Sequence, residues 1–443
     1  MAPNPQSTPP PATADPTETT PNPESAGTAE SPGVVETAGV VEPASVVEPA
    51  SVVEPASVVE PASVVEPASV VEPASAIETA SAIETASAIE TASAIETASV
   101  VESPGTVESS VVIENFGTAR IGTRIVDPVL RTTLQQALRA AAWVGNQGPR
   151  EAEFVFLAGR YSEVPARIIG GTPRGIRRRP VRFEHCEAEW LWDARLPDPT
   201  VKQDAAILYF HGGAFVAGGL NSYRRYTARM ARTSELPVLT VDYRQLPHNH
   251  IRDSLHDGLE AYRSLLDAGF PAGRLILAGD SAGGGLALRL ALAARDLGMP
   301  LPAGISVTSP WADFDSTARL AHPNARHDAV LPTAGPDMVV RRGIAIDGKV
   351  DPRWSVVNHD FTGLPPILVQ VGSEEMLLSD ALEIAKRCEE AHVPLRLQIR
   401  SRTPHSMIYL GAGLLGDGRA AMADAAAFHR SVLDTPAGGS RVA

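Results

Sequence analysis

Leu275-Ile276-Leu277-Ala278-Gly279-Asp280-Ser281-Ala282-Gly283-Gly284-Gly285-Leu286 is an apolar run, a glycine-flanked serine and the start of a long Ala/Leu-rich stretch. The order reads as strand, tight turn, helix, with Ser281 at the apex. A turn that lifts a serine Oγ clear of the backbone is strained and crowded by the next helix, which leaves room only for glycine on either side. Ser281 is therefore a candidate nucleophile. Upstream, the apolar strand Ala205-Ala206-Ile207-Leu208-Tyr209-Phe210 runs into His211-Gly212-Gly213-Ala214-Phe215. A Gly-Gly turn after a strand can aim backbone N–H groups at a developing oxyanion, so Gly212 and Gly213, with the amide of Ala282, are candidate oxyanion donors.

Around these two motifs the pattern alternates. Val238-Leu239-Thr240-Val241, Ile305-Ser306-Val307, Ile367-Leu368-Val369-Gln370-Val371 and Leu395-Arg396-Leu397-Gln398-Ile399 are short β-rich runs. Residues 253–268, 282–297 and 380–392 have helical period or composition. Strands separated by helices imply an α/β architecture with parallel pairing through right-handed crossovers.

From about Asp204 to His405 the chain resembles the hormone-sensitive-lipase family of α/β-hydrolases, bacterial branch. The resemblance is carried by His211-Gly212-Gly213-Ala214-Phe215, Val241-Asp242-Tyr243-Arg244, Gly279-Asp280-Ser281-Ala282-Gly283-Gly284, Ser309-Pro310-Trp311-Ala312-Asp313 and Gly363-Leu364-Pro365-Pro366. One departure is visible: the family follows Tyr-Arg with Leu-Ala-Pro-Glu, whereas this chain has Gln245-Leu246-Pro247-His248. The resemblance implies an α/β-hydrolase fold, a mostly parallel sheet flanked by helices with an N-terminal cap over the site. It also implies serine carboxylesterase activity on short- to medium-chain acyl esters, without a cofactor or metal, and is compatible with a homodimer. Asp280, Trp311 and Asp313 then read as structural braces of the site.

The fold orders its triad Ser, acid, His. Glu374, Glu375 and Asp380 all follow a strand, where carboxylates collect at the carboxyl edge of a parallel sheet. The resemblance favours Glu375, leaving Glu374 and Asp380 as a solvated loop carboxylate or a charge at a helix start. Beyond the next strand, Thr403-Pro404-His405-Ser406 supplies the base, while His429 reads as a helix-surface residue. An amidase or acyltransferase would use the same triad. Different in kind are a ligand-binding relative of the fold and a protein whose tail carries the interaction.

That tail is of another character. From Glu18 to Glu114 a glutamate recurs at every sixth position, as Val-Val-Glu-Pro-Ala-Ser from Val40 and as Ala-Ile-Glu-Thr-Ala-Ser from Ala76. A period of six makes no helical stripe, and the prolines remove ladder donors from any strand. No aromatic residue precedes Phe116. The segment therefore reads as a disordered acidic tail over residues 1–114, followed by a cap or lead-in over 115–200 and a catalytic domain over 201–436. Residues 1–119 hold 17 Glu and one Asp with no Lys or Arg, a net of −18 against −14 for the whole chain, so the remainder is +4.

Within the lead-in, residues 126–144 read as one amphipathic helix with Val129, Leu130, Leu134, Leu138, Ala141 and Ala142 apolar, able to line an acyl pocket or pack on the sheet edge. Arg174-Gly175-Ile176-Arg177-Arg178-Arg179 reads as a solvated loop, with contact to the acidic tail or to an anionic surface as the alternative, and is too short and too poor in aromatics for nucleic acid. Cys186 and Cys388 offer no disulfide framework. His248, His250 and His256 match no strong metal-ligand spacing, and Gly283-Gly284-Gly285 lacks the ending of a phosphate loop. Without a basic start, an apolar leader or a membrane-length apolar run, the default location is cytoplasmic.

Overall fold

The computed structural model describes residues 110–117, 119–169, 171–202, 204–406 and 416–434; the hexapeptide repeats up to residue 109, read above as disordered, lie outside them. The chain begins with β1 (Val111–Phe116) and four helices, α1 (Ile121–Thr132), α2 (Leu134–Gln147), α3 (Pro149–Tyr161) and α4 (Glu163–Ile169). A hairpin follows, β2 (Ile176–Arg182) and β3 (Glu187–Asp193). Alternation then sets in with β4 (Ala206–Phe210), α5 (Leu220–Ser234), β5 (Val238–Asp242), α6 (Ile251–Asp267), β6 (Leu275–Asp280), α7 (Ser281–Asp296) and β7 (Gly304–Thr308). Two short helices, α8 (Thr317–Ala321) and α9 (Ala334–Val339), precede β8 (Ile367–Gly372), α10 (Leu378–Glu390), β9 (Leu395–Arg400) and α11 (Gly416–Asp434).

The strands form one sheet in the order β1-β9-β8-β7-β6-β4-β5-β3-β2. Every pairing from β1 to β5 is parallel, and β3 and β2 join antiparallel. Alternation of side chains across the sheet divides the core. Leu208 and Phe210 of β4, with Leu275 and Leu277 of β6, pack with Tyr262 and Leu265 of α6, Leu286 and Leu290 of α7 and Ile384 of α10. Ile207, Tyr209, Ile276 and Ala278 face the other way, onto Tyr226 and Met230 of α5 and Met422 of α11. Helices on both faces explain why these strands read as unbroken apolar runs. In register, Phe210 lies opposite Gly279, Asp280 opposite Thr308, and Thr308 opposite Gln370, so the turns leaving β4, β6, β7 and β8 emerge along one edge.

Four expectations are corrected. The boundary at 114/115 falls inside β1, whose Val111 to Glu114 pair with Leu395 to Gln398 of β9. Nor does 200/201 divide domains, because β2 and β3 belong to the central sheet. The expected helix over 126–144 is two helices: the backbone leaves helical geometry at Thr133, where Thr132 and Thr133 hydroxyls bond back to carbonyls of Pro128 and Val129 and compete with the ladder. The arginine cluster is not a loop; after a turn at Gly175 it becomes β2, an edge strand whose exposed charges and Pro180 discourage further pairing.

His429 is a further correction. α11 packs against α5, so the side chain is fully buried, bonded to Ser234 Oγ at 2.9 Å. Burial pushes its pKa down to about 3. Because the folded value lies below the unfolded one, the unfolded chain binds the extra proton, and stability is lost as pH falls from about 6.5 toward 3. Comparing urea unfolding at pH 7 and pH 5, the wild type should lose about 2 kcal/mol more than His429→Asn.

Candidate active site

Ser281 occupies the turn between β6 and α7 with φ of 51°, a left-handed conformation that side chains larger than glycine adopt only under constraint. The constraint is backbone crowding. A Cβ at Gly279 would lie 2.4 Å from the Gly283 carbonyl oxygen, one at Gly283 would lie 2.2 Å from that of Phe210, and one at Gly285 2.0 Å from that of Trp311. The Trp311 amide in turn donates to the Ser281 carbonyl at 2.9 Å.

The three residues singled out for acyl chemistry lie in one chain of hydrogen bonds. His405 Nε2 is 3.0 Å from Ser281 Oγ, and His405 Nδ1 is 2.8 Å from Glu375 Oε2. The other oxygen of Glu375 accepts from Ser309 Oγ at 2.8 Å and from the Gly372 amide at 2.7 Å, so the carboxylate has a single orientation. Neither alternative carboxylate reaches the imidazole. Glu374 turns outward to Arg131 at 3.1 Å and Arg402 at 3.3 Å. Asp380 is buried with Arg319 at 3.3 Å and accepts the amides of Ala312 and Asp313.

The expected oxyanion donors are brought close to the serine's turn, with one correction. The Gly212 amide donates to Asp280 Oδ1 at 2.9 Å and to Tyr223 Oη at 3.0 Å, so it is not free for a substrate. Gly213 and Ala214, at φ of 118° and 54°, follow with amides that donate to no acceptor among the described residues. The amide of Ala282 lies in the first turn of α7, where N–H groups lack a partner within the helix. A Cβ at Gly213 would sit 2.1 Å from the Ala217 carbonyl, so this turn too is closed on itself.

Asp280 acts as the brace read from sequence. Its buried carboxylate accepts Tyr209 Oη at 2.6 Å, Tyr223 Oη at 2.9 Å and the Gly212 amide, tying the two turns together. Trp311 both braces, donating Nε1–H to the Asp313 carbonyl, and forms part of the cavity wall. Where the family's Glu is replaced, Gln245 donates to the Gly218 carbonyl at 3.2 Å and the Leu246 amide to that of Phe215 at 2.9 Å, so the glycine loop is held from this side without a carboxylate.

Sequence reasoning missed Asp328. Buried beside the acid loop, its carboxylate accepts the Met376 amide at 2.9 Å and the Val330 and Leu331 amides at 2.8 Å, while Gln135 of α2 donates to its carbonyl. It joins the acid loop, the cavity wall and the cap, and no local motif marks it. A cavity of about 120 Å³ opens on Ser281, walled by Leu138, Ala141 and Ala142 of α2, Val155 of α3, Ala214, and Met338 and Val339 of α9. The cap's apolar face therefore lines the site.

His250 caps α6 and bonds the Ile344 carbonyl at 2.9 Å. His256 lies near Asp257 and Glu260, but Asp257 is already held by Arg244 at 2.7 Å.

Burial disfavours a charged His405, yet the hydrogen bond and charge of Glu375, with the charges of Asp328 and Asp280, outweigh it and raise its pKa above the usual 6.5. The imidazole must be neutral to accept a proton, so acceptance fails as pH falls through that raised value. Titrated by NMR, the ring should protonate above pH 6.5; Asp328→Asn should move the midpoint down, and Glu374→Gln should leave it in place.

A family model described as alpha/beta hydrolase fold matches residues 207–409. An acetyl-hydrolase of Streptomyces hygroscopicus is 36% identical over 251 residues, covering 57% of this chain and 82% of its own. The esterase LipU of Mycobacterium tuberculosis is 36% identical over 200 residues, 44% of this chain and 67% of its own. Among solved structures, an esterase from the bacterial hormone-sensitive lipase family superposes with a TM-score of 0.56 at 29% identity, over 67% of this chain and 98% of that one.

Proposed function

The chain belongs to the hormone-sensitive-lipase family of α/β-hydrolases, and on that premise we propose that it is a serine carboxylesterase in which Ser281, His405 and Glu375 are nucleophile, base and orienting acid. The unbroken hydrogen-bond chain from Ser281 Oγ through His405 to Glu375 carries this reading. His405 Nε2 takes the serine proton as Oγ attacks the ester carbonyl carbon. The oxyanion that forms is held by the amides of Gly213, Ala214 and Ala282, preorganised by turns that cannot relax. Collapse expels the alcohol, which leaves with the proton from the imidazolium. Water then enters, loses a proton to His405 and attacks the acyl carbon; the acid departs and Ser281 regains its proton. Throughout, Glu375 keeps Nδ1 protonated and stabilises the imidazolium.

The acyl group is short to medium. Support comes from the size of the cavity, about 120 Å³, and from its apolar lining, where each buried methylene contributes about 0.8 kcal/mol until the wall is met. One relative is named an acetyl-hydrolase, and an acetyl group is the small end of this class.

Hydrolysis of p-nitrophenyl esters from acetate to palmitate tests both parts. Turnover should peak at short chains, and Ser281→Ala should lower kcat by about 10⁴-fold or more; equal background rates from both proteins would end the esterase reading. Ala141→Phe, which fills the cavity, should leave acetate hydrolysis within about threefold while kcat/KM for octanoate falls about tenfold or more.

A further inference from the structure

The cap helices that enclose the cavity are apolar on both sides. α1 turns Ile121, Ile125, Pro128 and Val129 outward along one stripe, α3 does so with Phe154, Ala158 and Tyr161, α4 with Val164 and Ile168, and α2 adds Trp143. Nine of the seventeen large apolar side chains exposed among the described residues fall between 121 and 168, a concentration that ordinary surface scatter does not produce. α2 and α3 meet the cavity through their opposite faces, at Leu138, Ala141, Ala142 and Val155. Between the stripes, Arg124, Arg139, Arg150 and Arg167 are exposed and make no ion pair among the described residues, whereas the acids of the same helices without an ion pair are Glu151, Glu153 and Glu163, the last of them turned inward onto the Asn221 and Ser222 amides.

We propose that this outer cap face is a docking surface for an anionic phospholipid bilayer. Apolar stripes with Trp and Tyr, interleaved with arginine, have the composition of helices that lie in a lipid–water interface, the side chains entering the acyl boundary and the guanidinium groups meeting phosphate. A second copy of the chain fits less well, because a two-fold contact would set this net-positive face against itself. None of the described helices is long and apolar enough to cross a membrane, so the contact is peripheral. On the esterase reading, such a face delivers an apolar ester from the lipid phase to a cavity whose wall is the other side of the same helices.

Flotation of the full 443-residue protein with vesicles of phosphatidylcholine and phosphatidylglycerol, four to one, tests this. The wild type should float with the vesicles, and the triple variant Ile125→Ser, Val129→Ser, Phe154→Ser should partition about a hundredfold less. Its hydrolysis of p-nitrophenyl acetate in vesicle-free solution should be unchanged, since these side chains do not reach the cavity. Absence of flotation, equal partitioning of the two proteins, or a wild-type dimer that the triple variant dissociates would each overturn the docking surface. Ser281→Ala should float like the wild type, so vesicle binding without ester turnover would sink the esterase reading alone.

Discussion

A single buried carboxylate, Asp280, holds the two turns of this site together. It lies next to Ser281 in sequence and accepts hydrogen bonds from Tyr209 on the neighbouring strand, Tyr223 on α5 and the amide of Gly212. Burial raises its pKa, while those donors favour its charged form. Once Gly212 is bound there, the next two residues are turned into left-handed geometry with their amides unspent. The same contact thus ties the glycine turn to the serine's turn and selects which N–H groups are left for the proposed oxyanion.

Charge is layered behind the imidazole in a similar way. Glu375 is held by Ser309 and Gly372, and Asp328 lies behind it, satisfied by three backbone amides. Two carboxylates near one buried histidine favour its protonated form, the form that the proposed deprotonation of Ser281 would generate. Because Asp328 also fastens the cavity wall and, through Gln135, the cap, the electrostatics of the base and the shape of the pocket are not independent.

The cap couples chemistry to surroundings. The residues it turns to the cavity are small or aliphatic and leave a narrow apolar space above Ser281, and its outward face carries stripes of large apolar side chains between the arginines. A helix that served only to cover the sheet would bury one face and present a polar one.

Much of the candidate site was legible in the sequence. Ser281, Glu375 and His405 stand in motifs whose glycines and prolines punctuate the chain, and strand and helix periods frame them, since buried parallel strands and amphipathic helices leave local signatures. Legibility failed where a residue's role depends on what packs against it. Gly212 and Ala214 differ by a shift along the turn that only the Asp280 contact decides. His429 sits on a helix whose pattern looks superficial until α5 covers it, the arginine run becomes a strand only by pairing with β3, and Asp328 has no motif at all. Composition and period determined the α/β class, the order of the chemical groups and the separation of an acidic repeat from a weakly basic body. Tertiary structure alone decided which amides remain free, what holds the carboxylates of the acid loop and which faces of the cap meet solvent, because each of those is a contact between segments far apart in the chain.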